Sequence, residues 1–534
     1  MPVLLAFLAG LASACGFEPW SVGPATIAGF AVLLHLLSRA TRMRGALALG
    51  WAFGFGQFVL GLNWIATAFT FQAAMPPSLG WVAVVLLSVY LAVYPAMAAG
   101  LAWRYGSPAK AGAQPFVAAE AGPRPSGSPQ STTLRGAPSP GNITEMDPLR
   151  LSLILAVAWI VTEWLRGTIF TGFAWNPVGV VLLTTPLAQL SPFVGTYGLS
   201  ATVILIGAVF RLATDATNAA RKQGAWLGIA LAAATGVGWL RDRPAPLGTK
   251  AVRIVQPNIG QQNKHDPAFD EDTYARLFGL SEPLDGRPRL VLWPEAAIPD
   301  YLQDEPAALR RIAAMLGPRD VLLTGGTAVE RGPTGRPVGG RNSLFVVLPD
   351  ATLRGRYDKA HLVPYGEYLP ARPVLSAIGL SRLVPGDLDF WAGPGARTLA
   401  VPGFGNMGVQ ICYEIVFSGE VVDRANRPDF LFNPSNDAWF GRWGPPQHLA
   451  QARMRAVEEG LPVLRSTPTG ISAVVDARGH LKASLPWRTP GRIDAILPGP
   501  LPPTLFARFG NLLSFLFGFA LLACAWFATP RERR

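Results

Sequence analysis

The chain has 534 residues, of which 50% are hydrophobic and 15% are charged, and its mean hydropathy is +0.28. This balance is typical of a membrane protein rather than a soluble one. Three cysteines are too few for a disulfide framework. A formal net charge of +12 would suggest nucleic-acid binding in a soluble domain. Here the basic residues lie between apolar segments, so we expect no nucleic-acid partner.

Eight apolar segments approach the roughly 17–25 residues that a helix needs to cross a bilayer. The first and the fifth are the shortest, and their ends are the hardest to place. A long stretch of ordinary polarity separates the seventh segment from the eighth. The predicted spans are 2–15, 22–38, 46–70, 79–103, 151–166, 188–210, 224–240 and 504–528.

Arginine and lysine mark one side of this predicted membrane domain. They follow the second, fourth, sixth and eighth spans, whereas the turns 16–21 and 72–78 contain neither residue. Because basic loops stay in the cytoplasm, both termini are predicted to be cytoplasmic. The region 250–498 then lies on the opposite side of the membrane, outside the cytoplasm. The basic residues are Arg39, Arg42, Arg44, Arg104, Lys110, Arg221, Lys222, Arg531, Arg533 and Arg534.

Three segments are interpreted apart from this pattern. Residues 105–148 are rich in Pro, Gly, Ser and Ala and are predicted to form a disordered cytoplasmic loop. Residues 529–534 form a cytoplasmic tail. Residues 11–15 resemble a lipoprotein cleavage site, but no Lys or Arg precedes them. The first segment is therefore interpreted as an uncleaved span within a membrane domain of residues 1–245.

The region 250–498 alternates short β-branched runs with helical stretches. This alternation predicts an α/β or layered α-β-β-α domain, in which sites usually lie at the ends of strands. The predicted strands are 251–255, 290–293, 321–324, 343–348, 407–412, 430–433, 463–466 and 472–476, and the predicted helices include 306–316 and 447–459.

Three polar segments at predicted strand ends, 293–299, 357–368 and 412–414, carry the candidate residues Glu295, Lys359, Glu367, Cys412 and Glu414. Each candidate also has a purely structural interpretation. A cysteine in an apolar run is often a buried thiol, a glutamate can cap the following helix, and a lysine is usually solvated. The other two glutamates can be ordinary ion-pair partners.

Together these residues form a coherent set for acyl transfer through a thioester. A thiol needs a neighbouring base, here Glu295, to become a nucleophile. A protonated Lys359 can then stabilise the oxyanion of a tetrahedral intermediate. His361 and His448 have no Cys or His at ligand spacing, so we expect neither a metal nor another cofactor.

At these residues the chain resembles the nitrilase superfamily and its Glu-Lys-Cys triad. The match is closest to the membrane-embedded branch, the apolipoprotein N-acyltransferases. The resemblance implies eight membrane helices and an extracytoplasmic nitrilase-like α-β-β-α sandwich, and it extends over nearly the whole chain. The matching segments are 293–299, 359–370, 412–414, 435–441, 452–458 and 465–467.

The resemblance implies a ping-pong reaction at the membrane surface. Cys412, deprotonated by Glu295, would attack the sn-1 ester of a phospholipid, while Lys359 and the Tyr413 N–H hold the oxyanion. The acyl group would then pass to the α-amine of the S-diacylglyceryl cysteine that begins an apolipoprotein. The resemblance also makes Glu367 and Glu414 supporting acids and gives Trp439 and Trp239 contacts with substrate. The enzyme is expected to act as a monomer among membrane lipids.

The chain departs from the resembled family at two places, and two other functions are alternatives to acyl transfer. The insert 105–148 is longer than the family requires, and 468–470 replaces a polar stretch that the resemblance predicts. A membrane-tethered amidase would keep the triad but transfer the acyl group to water. A non-catalytic scaffold would lose a member of the triad, and all three members are present in this chain.

Overall fold

The computed structural model describes residues 1–71, 76–106, 147–264, 266–283, 286–377, 383 and 389–527. The predicted disordered loop 105–148 falls almost entirely outside those residues, and the tail 529–534 falls wholly outside them. The fold below refers to the described parts of the chain.

The N-terminal part is built from apolar helices. By length and hydropathy, three described helical segments are able to cross a membrane, namely Leu79–Gly106, Pro148–Thr168 and Pro186–Ala213. A fourth span results if the bent pair Met43–Gly61 and Ile65–Phe71 is counted as one. The helices are α1 (Pro2–Ala14), α2 (Gly23–Ser38), α3 (Met43–Gly61), α4 (Ile65–Ala68), α5 (Leu79–Leu91), α6 (Val93–Gly106), α7 (Pro148–Thr168), α8 (Ser191–Ala213) and α9 (Asn218–Arg241).

Several predicted spans are interrupted where the sequence shows a continuous apolar run. The span predicted at 46–70 breaks after Gly61, and its two parts are bent by 47°. Helix α8 is kinked at Gly195, whose φ is +67°. A Cβ there would lie 2.6 Å from Ser514 Oγ, so only glycine allows this close approach. Hydropathy reports composition and not backbone direction, which explains why these breaks escaped prediction.

The second part contains two sheets, each with six described strands. Their orders are β12-β1-β2-β3-β4-β5 and β11-β10-β9-β8-β7-β6, and both mix parallel and antiparallel pairs. The strands are β1 (Ala251–Gln256), β2 (Arg289–Leu292), β3 (Val321–Arg331), β4 (Pro337–Val347), β5 (Leu353–Asp358), β6 (Thr398–Val401), β7 (Gly405–Val409), β8 (Phe430–Pro434), β9 (Val463–Ser466), β10 (Ala473–Val475), β11 (Leu481–Ser484) and β12 (Gly491–Ile496).

The layers follow from where the apolar side chains are buried. Ile254 and Leu292 of one sheet pack with Val409 and Phe432 of the other, which makes an inner core between the sheets. The helices α10 (Asp270–Ser281) and α11 (Pro306–Ala313) cover the outer face of the first sheet. These layers confirm an α-β-β-α sandwich, as the alternation of strands and helices predicts.

Helix α13 (Gly444–Glu459) covers the second sheet and also faces the membrane helices. Gln447 accepts a hydrogen bond from Trp175 Nε1 (2.8 Å), and Gln451 accepts one from the Asn176 N–H (3.2 Å). The remaining helices are α12 (Arg372–Ala377), α14 (Leu505–Phe509) and α15 (Leu512–Phe527). The last predicted span, 504–528, is therefore divided near Gly510, whose φ is +55°.

Candidate active site

Glu295 lies in the loop after β2, close against β3. The Ala297 N–H donates to the Gly325 carbonyl (3.0 Å), and a Cβ at Gly325 would lie 2.7 Å from Glu295 Cα. Glycine in β3 therefore lets the Glu295 backbone approach the sheet. Glu295 is 6% exposed, and the next helix begins only at Pro306. The helix-cap interpretation of Glu295 is therefore wrong.

Lys359 follows β5 directly and is 1% exposed, so it is not a solvated surface lysine. Its Nζ lies 2.9 Å from Glu367 Oε2 and 3.6 Å from Glu295 Oε1. Burial alone would lower the pKa of Lys359, but the Glu367 and Glu295 carboxylates outweigh it and raise the pKa above its ordinary value. Lys359 is thus a fixed positive charge at neutral pH.

Asn342 of β4 completes this cluster and was missed in the sequence. Its Nδ2 donates to Glu295 Oε1 (2.6 Å) and to Glu367 Oε1 (2.8 Å), so one amide orients both carboxylates. The backbone carbonyl oxygen of Asn342 accepts a hydrogen bond from the backbone N–H of Lys359 (2.9 Å). An asparagine inside a strand gives no local signal, because its partners lie in two other segments, 293–299 and 357–368.

Cys412 begins a short 3₁₀ helix, Cys412–Val416, and is not the last residue of a strand. The strand predicted at 407–412 ends at Val409, and Cys412 itself has a φ of +52°, a conformation rare for residues other than glycine. The first N–H groups of such a helix have no partner within it. The Tyr413 N–H, the second of this helix, therefore has no partner within it.

The thiol of Cys412 is protonated at neutral pH. Burial raises its pKa to about 12 and the Glu295 carboxylate adds to the shift, while Lys359 opposes it. The thiol is 5% exposed. Within the described residues, Glu295 Oε2 has no hydrogen-bond partner. A buried thiol and an unpaired carboxylate oxygen next to a lysine are the components of base-assisted nucleophilic attack.

Glu414 joins the two loops that carry Lys359 and Cys412. Its Oε1 accepts from Tyr357 Oη (2.8 Å) and the Ala360 N–H (2.7 Å), and its Oε2 accepts from the Ile411 N–H (2.7 Å). Burial raises its pKa to about 7, although the Lys359 charge and these donors act in the opposite direction. Every one of these partners is a donor, so the geometry fits the ionised carboxylate.

A second buried cluster holds the backbone of Cys412. His448 Nε2 lies 3.0 Å from the Cys412 carbonyl oxygen, and His448 Nδ1 lies 3.0 Å from Arg465 Nη2. Burial and the Arg465 charge lower the pKa of His448, against the attraction of Asp437. Nε2 faces a carbonyl oxygen and is the donor there, whereas Nδ1 lies 3.0 Å from both Arg465 Nη2 and Asp437 Oδ1. The partners of His448 are distant in the chain, so the sequence gives no local sign of this cluster.

The segment Asp437–Phe440 carries the predicted tryptophan Trp439 close to the membrane helices. The Trp439 ring packs edge-on against Phe71, with 5.9 Å between ring centroids. Phe440 lies 4.7 Å from Trp64 and 5.7 Å from His448 by the same measure. By contrast, Trp239 is 68% exposed near the end of α9, and none of the described contacts connects it to the triad.

Each half of the chain matches a known protein family. Residues 9–209 match the family described as apolipoprotein N-acyltransferase N-terminal domain, and residues 268–498 match the carbon-nitrogen hydrolase family. The apolipoprotein N-acyltransferase of Rhodopseudomonas palustris is 34% identical, over 95% of this chain and 92% of that protein. That of Sinorhizobium fredii is 36% identical, over 97% and 94%. The crystal structure of Saccharomyces cerevisiae Nit3, of the nitrilase superfamily, aligns with 55% of this chain and 99% of its own, at 20% identity and a TM-score of 0.33.

Proposed function

This chain belongs to the apolipoprotein N-acyltransferase family, and from that premise we propose how its buried residues transfer the acyl group. The chain is an acyltransferase of bacterial lipoprotein maturation. The observation that carries the catalytic proposal is the placement of Lys359. Its Nζ contacts Glu367 (2.9 Å) and Glu295 (3.6 Å), and its charge acts on the Cys412 thiol.

In the first half-reaction, Glu295 takes the proton of Cys412 as the sulfur attacks the sn-1 ester carbonyl of a phospholipid. Lys359 Nζ and the Tyr413 N–H hold the oxyanion of the tetrahedral intermediate. The intermediate collapses by breaking the ester C–O bond, and Glu295 returns the proton to the departing lysophospholipid oxygen. The acyl group remains on Cys412 as a thioester.

In the second half-reaction, the neutral α-amine of an S-diacylglyceryl cysteine attacks the thioester carbonyl. The same donors hold the oxyanion, and Glu295 accepts the proton that the nitrogen loses. The C–S bond breaks, and the proton passes from Glu295 to the Cys412 sulfur. The products are an amide on the apolipoprotein and the free thiol, so no metal or other cofactor takes part in the cycle.

The supporting residues of this proposal act through position. Glu367 keeps Lys359 charged. Glu414 accepts hydrogen bonds from the Ala360 and Ile411 N–H groups and so fixes the two segments that carry Lys359 and Cys412. Trp439 is assigned to the lipid entrance, where it packs against Phe71. Water must be kept from the thioester, because hydrolysis would waste the acyl group. Trp239, exposed near the end of α9, is proposed to contact substrate.

The membrane arrangement belongs to the same proposal. Eight spans would leave both termini in the cytoplasm and the catalytic domain, 250–498, on the periplasmic face of the inner membrane. The membrane domain would be 1–245 with a last span at 504–528. Both substrates are lipid-anchored, so a nucleophile at the membrane surface meets them at high local concentration. A monomer is sufficient, because one chain supplies every residue of the cluster.

The experiment that tests the proposal is intact-mass analysis of the purified enzyme after incubation with phospholipid. We expect the mass of one acyl chain on Cys412, and its transfer when a diacylated lipopeptide is added. Cys412→Ser should abolish formation of triacylated lipopeptide. Full activity of that variant would refute the mechanism. Release of free fatty acid without triacylated product would instead favour the hydrolytic alternative.

A further inference from the structure

A second lysine, Lys264, reaches the catalytic cluster from the loop after β1. Its Nζ donates to the backbone carbonyl of Glu295 at 2.9 Å. The side-chain oxygen of Asn436, in the amide orientation that satisfies its neighbours, accepts hydrogen bonds from Lys264 Nζ (3.2 Å) and from Trp439 Nε1 (3.1 Å). Lys264 therefore connects the loop of the general base to the segment that bears Trp439.

Lys264 also changes the charge of the site. Burial lowers the pKa of Lys264 to about 8, while Glu295 and Cys412 oppose the shift. The lysine is therefore mostly protonated at pH 7. Lys359 faces the Glu295 and Glu367 carboxylates, and Lys264 adds a second positive charge beside this acidic group. Asp270 also lines the cavity that Lys264 and Glu295 share.

The two half-reactions differ in how they respond to that charge. The first substrate presents a neutral ester to Cys412. The second presents an α-amine, whose ordinary pKa is roughly 7.7–8.0 and which attacks only when neutral. A site with net negative charge would hold this amine as the ammonium ion, which has no lone pair to donate. A nearby cation disfavours the ammonium form.

We propose that Lys264 is the second cation of the active site and favours the neutral, nucleophilic form of the acceptor amine during aminolysis. This inference rests on the proposed two-step function and assigns a separate residue to its second step. The amine loses one proton to solvent before attack. It loses the other to Glu295 during attack, so atoms and charges balance. Lys264 itself neither gains nor loses a proton in the cycle.

The test measures the two half-reactions separately in the full-length enzyme. Thioester formation is followed by intact mass after addition of phospholipid, and discharge is then followed with a diacylated lipopeptide at several pH values. We expect Lys264→Met to slow discharge to the lipopeptide at pH 7 about tenfold more than it slows thioester formation. The pH midpoint of discharge should move upward by about one unit, since the amine then binds its proton more tightly.

Three comparisons make the result specific. Lys264→Arg keeps the charge and should restore the pH midpoint of discharge. Lys482→Met removes an exposed lysine of β11 and should leave both half-reactions unchanged. Hydroxylamine is already neutral at pH 7, so it should discharge the thioester of Lys264→Met as fast as that of the unsubstituted enzyme.

Two results would overturn the role of Lys264. One is an equal loss in both half-reactions, which indicates only a structural role. The other is an unchanged pH midpoint in Lys264→Met. Failure of the unsubstituted enzyme to form a thioester would instead refute the proposed function, so the two failures are distinguishable.

Discussion

The side chains around Lys359 show how one fixed cation organises three acidic or nucleophilic groups. Lys359 is 1% exposed and Glu295 is 6% exposed, so their interaction is poorly screened by water. Asn342 donates to both carboxylates and carries no charge of its own. The cluster therefore depends on an amide at position 342, because another acid there would face two carboxylates with one lysine between them.

Asn342→Asp tests this charge balance with almost no change in shape. We expect activity at pH 7 to fall at least tenfold, since a third carboxylate replaces a donor with an acceptor. The acid limb of the pH–rate profile should move to higher pH, because the coupled acids are harder to keep ionised together. Asn426→Asp adds the same charge at an exposed position and should leave the profile unchanged. An unshifted acid limb in Asn342→Asp would contradict this account.

The three proposed catalytic residues can be picked out in the sequence because each lies in a short polar segment next to an apolar run. Their supports were not predictable in the same way. Asn342 lies within a strand, Lys264 lies in a loop with no distinctive pattern, and His448 meets Cys412 from another helix. Contacts between residues far apart in the chain produce no periodic pattern in the sequence. The sequence therefore indicates the proposed catalytic residues better than the residues that position them.

Among the secondary-structure elements, α13 is the one that connects the nucleophile to the membrane helices. One side carries His448 to the Cys412 carbonyl at 3.0 Å. Other residues along the helix, Gln447 and Gln451, bond to the segment between α7 and α8. The predicted helix 447–459 lies wholly within α13, which begins three residues earlier at Gly444. The sequence predicts that this segment is helical. Its contacts with Cys412 on one side and with the membrane helices on the other depend on tertiary packing, which the sequence pattern does not reveal.

Replacement of His448 tests whether α13 positions the nucleophile. His448→Leu removes the donor to Cys412, whose left-handed backbone conformation is then less well held. We expect kcat to fall at least tenfold with a much smaller change in KM, since substrate contacts remain. His448→Gln should recover part of the loss, because its amide can still donate to that carbonyl. Equal kinetics for the Leu and Gln variants would show that the hydrogen bond is unimportant.

For the whole molecule, the decisive feature is a buried set of polar contacts between the domain that carries α13 and the membrane helices. Glu458 of α13 accepts from the Thr196 N–H (2.7 Å), from Thr196 Oγ1 (2.6 Å) and from Ser418 Oγ (2.8 Å). Its other oxygen lies 3.0 Å from Arg455 Nε. Thr196 directly follows the kink at Gly195, so the break in α8 exposes a backbone N–H that a continuous helix would use internally.

Glu458→Ala should therefore loosen the catalytic domain from the membrane helices. Arg455 and Glu458 are both 0% exposed, and removing one partner leaves a buried charge uncompensated, at a cost of about 3–5 kcal/mol. We expect a lower unfolding temperature in detergent and faster proteolytic release of the region 250–498. Glu420→Ala removes an exposed carboxylate and should change neither measurement. If both variants unfold like the unsubstituted protein, the apolar contacts between the two parts hold them together without the hydrogen bonds from Thr196 to Glu458.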